Sequence, residues 1–207
     1  MSSTVKGLTH EQRTELSDQR MFDAAMDLIL EHGTVRTTLK EVGEKAGYSR
    51  GLANNRFGSK ENLFERLVKR CYRVWLDELS KFVGNKSGLE AFMTSIDAFE
   101  DFLLEAPREL QVLHILWYES ISHQSVMKAK LKEQQEKMLS DVTGYLGRAQ
   151  FNGDISRDCD VAEFSIRYLT FIFGITYMWL VNPEGIPVKT IFAGYRDSVK
   201  KELQIES

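Results

Sequence analysis

Between Ser49 and Lys60 the chain reads Ser-Arg-Gly-Leu-Ala-Asn-Asn-Arg-Phe-Gly-Ser-Lys, and its polar members are the types that read base edges and hold phosphates. Arginine offers two parallel donors that match guanine O6 and N7; asparagine offers a donor and an acceptor that match adenine. Arg50, Asn54, Asn55 and Arg56 supply both types. Phosphates call for cations, hydroxyls and the free N–H groups of helix N-termini. Thr38 with Lys40, Ser49 with Arg50, and Lys60 each stand at a predicted helix start. Gly51 carries no side chain where such a helix would approach a duplex. On this reading Arg50 with Asn54 or Asn55 takes base edges, and Thr38, Lys40, Ser49, Arg56 and Lys60 take phosphates. Two of these have a plainer reading beside it: Arg56 pairs with an acid on a neighbouring helix, and Lys60 before Glu61 is an ordinary solvated helix start.

The elements that hold these groups follow from spacing and punctuation. Leu39, Val42 and Ala46 recur at helical spacing from Thr38, and Gly47 is where that helix stops and the chain turns back. Ser49 then stands at an N-cap position ahead of a second helix running to about Phe57. Two short helices with so tight a turn are the pattern of a helix-turn-helix, whose second helix enters the major groove. Gly43 in the first helix costs up to ~1 kcal/mol against alanine, which is tolerable where another backbone comes close. The second helix, with Gly51, Asn54 and Asn55, buries little beyond Leu52 or Ala53 and Phe57, and is too short to hold alone.

It needs a scaffold on both sides. Residues 1–16 are polar and expected to fray, and a helix from about Ser17 to His32 follows, with Phe22, Ala25, Met26 and Ile29 along one stripe and Gly33 at its end. After Ser59 a long helix runs to about Val83, with Leu63, Leu67, Cys71 and Trp75 on one stripe and Phe64, Val68, Tyr72 and Leu79 widening it. Five more helices are predicted, from Leu89 to Ala106, Arg108 to Ser120, Ser125 to Gln150 (with Met127 on its apolar side), Asp160 to Val181 and Pro187 to Leu203, with no convincing strand. The expected fold is all-α: an N-terminal arm over 1–16, a three-helix head over 17–60, and a six-helix body over 61–207.

Composition narrows the functional classes. The 207 residues are 43% hydrophobic and 28% charged, as in ordinary globular chains, with a net charge of -3, so any nucleic-acid surface is local. The N-terminus has no apolar core of a signal peptide, and the apolar run Tyr168–Val181, broken by Thr170 and Thr176, reads as too short to cross a bilayer. Cys71 and Cys159 are far apart and lack ligand spacing, so the expectation is two free thiols in a reducing cytoplasm. No Gly-rich phosphate loop, His-Glu-x-x-His, nucleophile elbow or cysteine cluster points to catalysis or to a cofactor. Asp97, Glu100 and Asp101 with His114 or His123 are a conceivable metal set, but acids on amphipathic helices are usually a solvated face.

The ordered set of head motifs resembles the TetR family of bacterial transcriptional regulators. The carriers are the opening helix Arg20–Gly33, the Thr37-Thr38 helix start, the run Glu41–Gly51, and Phe57-Gly58-Ser59-Lys60-Glu61. The match is close over residues 18–68 and loose beyond, at Gly153-Asp154-Ile155 and Trp179-Leu180-Val181-Asn182-Pro183. The chain departs from the pattern at Leu52-Ala53-Asn54, where many members have Thr-Leu-Tyr and the tyrosine touches the DNA backbone. The resemblance implies a repressor that binds a pseudo-palindromic DNA operator as a homodimer and is released by a small-molecule effector. Pairing is expected through the last two helices. In the eighth, Phe164, Tyr168, Phe171, Ile175 and Trp179 form one apolar stripe and Ile166, Leu169, Phe173 and Leu180 another; in the ninth, Ala193, Gly194 and Ser198 permit close approach. Candidates for an apolar or aromatic effector's site are Trp75, Phe99, Phe102, His114, Trp117, Tyr118, Met138 and Tyr168, each of which is individually more often plain core. The long helix after Ser59 is the expected carrier of ligand state to residues 49–57. The competing class is a helical adaptor that binds protein and not DNA; an enzyme is the most remote.

Overall fold

A computed structural model describes residues 9–121 and 126–205, and among them every regular element is helical. The helices are α1 (His10–Arg36), α2 (Leu39–Lys45), α3 (Arg50–Phe57), α4 (Lys60–Val83), α5 (Gly88–Glu105), α6 (Pro107–Ile121), α7 (Val126–Asn152), α8 (Val161–Val181) and α9 (Val188–Glu202). The His123 of the conceivable metal set and the Met127 side chain lie outside the described residues.

The helix ends have local causes. α1 begins seven residues before the expected start, because Thr9 and Gln12 form a reciprocal capping box: the Thr9 hydroxyl accepts from Gln12 N–H at 3.2 Å and the Gln12 carboxamide accepts from Thr9 N–H at 2.9 Å. The regular helix ends at Gly33, whose φ of +79° only glycine adopts freely, and one further turn carries the chain to Arg36. Thr38 caps α2 through the same device, with Glu41 as its partner, and Thr37 is fully buried, donating to the Gly33 carbonyl at 2.9 Å. Ser49 caps α3, and Ser59 accepts from Asn62 N–H at the start of α4.

Packing divides the chain into two compact units. The first holds the chain up to Arg70 together with residues 111–127, so half of α4 and most of α6 pack in one unit with α1, α2 and α3. Its core is Met21, Phe22, Ala25, Ile29, Val42, Ala53, Phe57, Leu63 and Leu67. Each large side chain buried there contributes ~1.5–3 kcal/mol. The Phe22 and Phe57 rings meet edge to face at 5.5 Å. The Thr34 hydroxyl hydrogen-bonds the Glu119 carboxylate and ties α6 to the end of α1.

The second unit holds Cys71–Leu110 and the chain from Lys128 onward. Phe92, Ile96, Leu103, Leu146 and Phe192 are its most deeply buried large residues, and Phe92 meets Phe164 and Tyr168 edge to face. Asp97 and Glu100 of α5 both hold Arg196 of α9, at 3.0 and 2.6 Å, which accounts for two of the acids in the conceivable metal set. α8 runs from Val161 to Val181 as expected, and its 21 residues are by length and composition enough to cross a membrane, although the apolar run Tyr168–Val181 was read as too short. Its inner side is Phe164, Tyr168, Leu169, Ile172 and Ile175, all buried in the protein, and Glu163 and Arg167 near its start are ion-paired. Leu169, on the second of the two stripes, is buried in the core cluster of this unit.

Candidate functional site

α3 is held by two residues and offers the rest. Ala53 and Phe57 are buried; Leu52 is half-buried. A Cβ at Gly43 would lie 3.1 Å from the Ser49 carbonyl oxygen and 3.3 Å from Ala53 Cβ, so glycine there is what lets α2 and α3 close on each other. Gly51 has no such reason inside the protein, since a Cβ there would meet nothing nearer than Ser49 Oγ at 4.0 Å. Arg50, Gly51, Asn54 and Asn55 are exposed together, and the side chains of Arg50, Asn54 and Asn55 have no partner among the described residues. Ser49, Thr38 and Lys40 are exposed as well. The Thr38 hydroxyl is engaged in its capping box, which holds the Glu41 carboxyl below its ordinary range, and Lys40 lies 3.9 Å from Glu44.

Two of the predicted phosphate ligands have internal partners instead. Arg56 Nε lies 3.1 Å from one carboxylate oxygen of Asp18 on α1, and its guanidinium donates to Ser17 Oγ at 3.3 Å. Arg66 of α4 donates to the other Asp18 oxygen at 2.8 Å and to the Arg56 carbonyl at 3.3 Å. The Arg66 guanidinium also lies 4.9 Å from the centre of the Phe57 ring and 5.5 Å from that of Phe22. A single carboxylate, 18% exposed, thus draws the end of α3 and the start of α4 onto α1. Lys60 Nζ donates to the Thr34 carbonyl at 3.2 Å, where a cation favours the last carbonyls of α1. Arg56 and Lys60 thus tie the end of α3 and the start of α4 to α1. Asp18 and Arg66 escaped the sequence reading, because an ion pair across 48 residues leaves no local pattern.

The effector candidates separate. Trp75, Phe99, Met138 and Tyr168 line one cavity of about 40 Å³ in the second unit, together with Tyr72 and Asp141. Phe102 does not line it but packs against the Trp75 ring at 5.4 Å. His114, Trp117 and Tyr118 lie on the part of α6 that belongs to the first unit, with the His114 ring 5.0 Å from Trp117 and 6.2 Å from Tyr118, and do not join this cavity. Burial pushes the Tyr72 hydroxyl up to about 12, with the Asp141 carboxylate adding to the effect. A larger hollow of about 460 Å³ beside Gly144, Arg148 and Phe151 is open surface on α7. Tyr72 belonged to an apolar stripe and Asp141 follows Met138 by one turn, so their register placed them near the cavity without marking them.

Comparisons agree with this geometry. The sequence model for bacterial regulatory proteins of the tetR family matches residues 22–67, which span the second half of α1, the helix-turn-helix and the start of α4. The transcriptional regulator SrpR of Pseudomonas putida is 22% identical over 164 residues, covering 79% of this chain and 75% of its own. The transcriptional repressor KstR2 of Rhodococcus jostii is 24% identical over 196 residues, covering 89% and 87%. The structure of SmeT, the repressor of the Stenotrophomonas maltophilia multidrug efflux pump SmeDEF, superposes with a TM-score of 0.71 at 22% identity over 89% of both chains, and SmeT also forms a complex with triclosan. The capped helix pair closed at Gly43 thus belongs to a head that matches the tetR family of bacterial regulatory proteins, and the chain as a whole shares the helical fold of such transcriptional regulators.

Proposed function

We propose that this protein is a repressor that binds a pseudo-palindromic operator as a homodimer in the cytoplasm and leaves it when a small effector enters the second unit. The observation that carries the reading is α3 itself. Three side chains with base-reading geometry, Arg50, Asn54 and Asn55, stand unpartnered on a helix whose place is fixed by Asp18, Arg56 and Arg66. Arg50 with Asn54 or Asn55 takes base edges, Thr38, Lys40 and Ser49 take phosphates, and Gly51 lets the backbone approach. Repression follows SmeT and KstR2, both repressors by name.

One head reads about half a site, and two heads one helical turn apart need a two-fold partner. α8 supports this with a bare outer face: Ile166 is 55% exposed, Met178 54% and Val181 67%. On α9, Ala193, Gly194 and Ser198 are exposed and small, so two copies of the pair would close into a four-helix bundle. The effector's site is the cavity beside Trp75, and α4, unbroken from Lys60 to Val83, is the element through which its occupancy reaches α3. The effector releases DNA only by favouring one head arrangement over another.

Selection of genomic fragments on the purified protein, followed by gel shift in rising salt and competitor DNA, tests the reading. The expected result is a retained site with two related half-sites one helical turn apart. A protein-binding adaptor would retain nothing over competitor.

A further inference from the structure

The cavity beside Trp75 has an unequal charge inventory. Its walls are aromatic, with Tyr72, Trp75, Phe99, Tyr145 and Tyr168, and one ionisable acid, Asp141, reaches it from α7. Among the described residues no lysine, arginine or histidine lines it. Burial raises the Tyr72, Tyr145 and Tyr168 hydroxyls above their ordinary range, and the Asp141 carboxylate adds to the first two, so the tyrosines stay neutral beside the one carboxylate of the lining. Lys137 pairs with Asp141 at 3.1 Å from one turn earlier on α7, where both side chains are open to water and the attraction is screened. Arg148 and Lys86 line a neighbouring open hollow that shares Asp141 and Tyr145, not the cavity itself.

These walls discriminate between ligand charges. An anionic ligand would meet a carboxylate and no cation. A neutral ligand would strip water from Asp141 and return nothing to it. A cation gains twice, from the faces of the aromatic rings and from the carboxylate. The indole of Trp75 is held for this by an edge contact to Phe99 at 5.3 Å and a tilted contact to Phe102 at 5.4 Å. About 40 Å³ is room for roughly three waters, so a compact head fits and an attached apolar part displaces Met138, the most adaptable side chain in the lining.

We infer that the effector is an amphipathic cation, an amine or quaternary ammonium compound whose head lies among Tyr72, Trp75 and Tyr145 against Asp141. The inference rests on the effector-cavity reading above and adds the charge of the ligand to it. Three probes of one shape separate the two: benzyltrimethylammonium, its neutral isostere neopentylbenzene, and 3-phenylpropionate, each titrated calorimetrically into the full chain. The cation is expected to bind about tenfold tighter than the isostere, and the acid not at all. Asp141→Asn is expected to weaken the cation about tenfold and leave the isostere unchanged, the isostere serving as the check that the variant is folded. Trp75→Leu is expected to weaken both. Equal binding of cation and isostere, both weakened by Trp75→Leu, or a preference for the acid, overturns the cation and keeps the cavity. Failure of all three probes, or binding indifferent to Trp75→Leu, overturns the effector cavity and this inference with it.

Discussion

α3 and α8 are both incomplete in a single chain, in opposite chemical senses. α3 has eight residues, two of them buried, and leaves polar side chains without partners. α8 has 21 residues, seven of them buried, and leaves Ile166, Met178 and Val181 uncovered. A helix as short and polar as α3 gains almost nothing from its own burial, so its fold is paid for by neighbours and its surface is free to suit a hydrogen-bonding polyanion. α8 is stable on its inner face alone, and its outer face gains only by excluding water against another apolar surface. The contrast assigns each helix its kind of partner without reference to the other.

The largest test of that contrast removes one of the two anchors of α3. Phe57→Ala is expected to destabilise the head by about 3–5 kcal/mol, read as an early transition in thermal melting, while self-association through α8 persists. Melting unchanged would mean that α3 is held by something other than Phe57 and Ala53. Next in size, Met178→Glu puts a charge into the outer face of α8 on both copies. Sedimentation is expected to show self-association weakened by about 3 kcal/mol or more, with the melting of the isolated head contacts unaffected. A dimer of wild-type strength would move the pairing surface elsewhere. Arg50→Ala is expected to cost about 1–3 kcal/mol of operator binding in a gel shift and to leave the melting temperature where it was. The smallest test is the sharpest: Gly51→Ala is expected to stabilise α3 by up to ~1 kcal/mol and yet to weaken operator binding several-fold, because the protein has room for the methyl and the duplex does not. A variant that binds as tightly as the parent would show that the backbone at residue 51 stands off the DNA.

What was legible in the sequence was what local chemistry determines. Gly43 announced a close approach, and the Ser49 carbonyl lies where a Cβ would collide. From α2 onward the eight described helices came within a residue or two of their observed limits, since most are bracketed by a cap, a glycine or a proline. α1 was placed late because Thr9 and Gln12 were passed over as polar arm, although their spacing is that of a capping box. The internal partners of Arg56, Lys60 and Leu169 were left open for a different reason. Each sits at a register shared by two surfaces, and the partner that decides, Asp18, Thr34 or the core of the second unit, comes from elsewhere in the chain. The effector set mixed residues of two packing units for the same reason, since aromatic character says nothing about which helix lies opposite.

The double engagement of Asp18 has a consequence for counterions. Arg56 and Arg66 neutralise that carboxylate, Lys45 is paired with Glu31, and Lys60 is turned to the end of α1. Few of the head's cations are therefore left to displace ions from a phosphate backbone. Each phosphate neutralised steepens the decline of log affinity with log salt by about 0.9. Operator binding should accordingly fall off with ionic strength more gently than a count of the head's arginines and lysines implies. The same ion pairs that hold α3 still would then let it read its site in a salty cell.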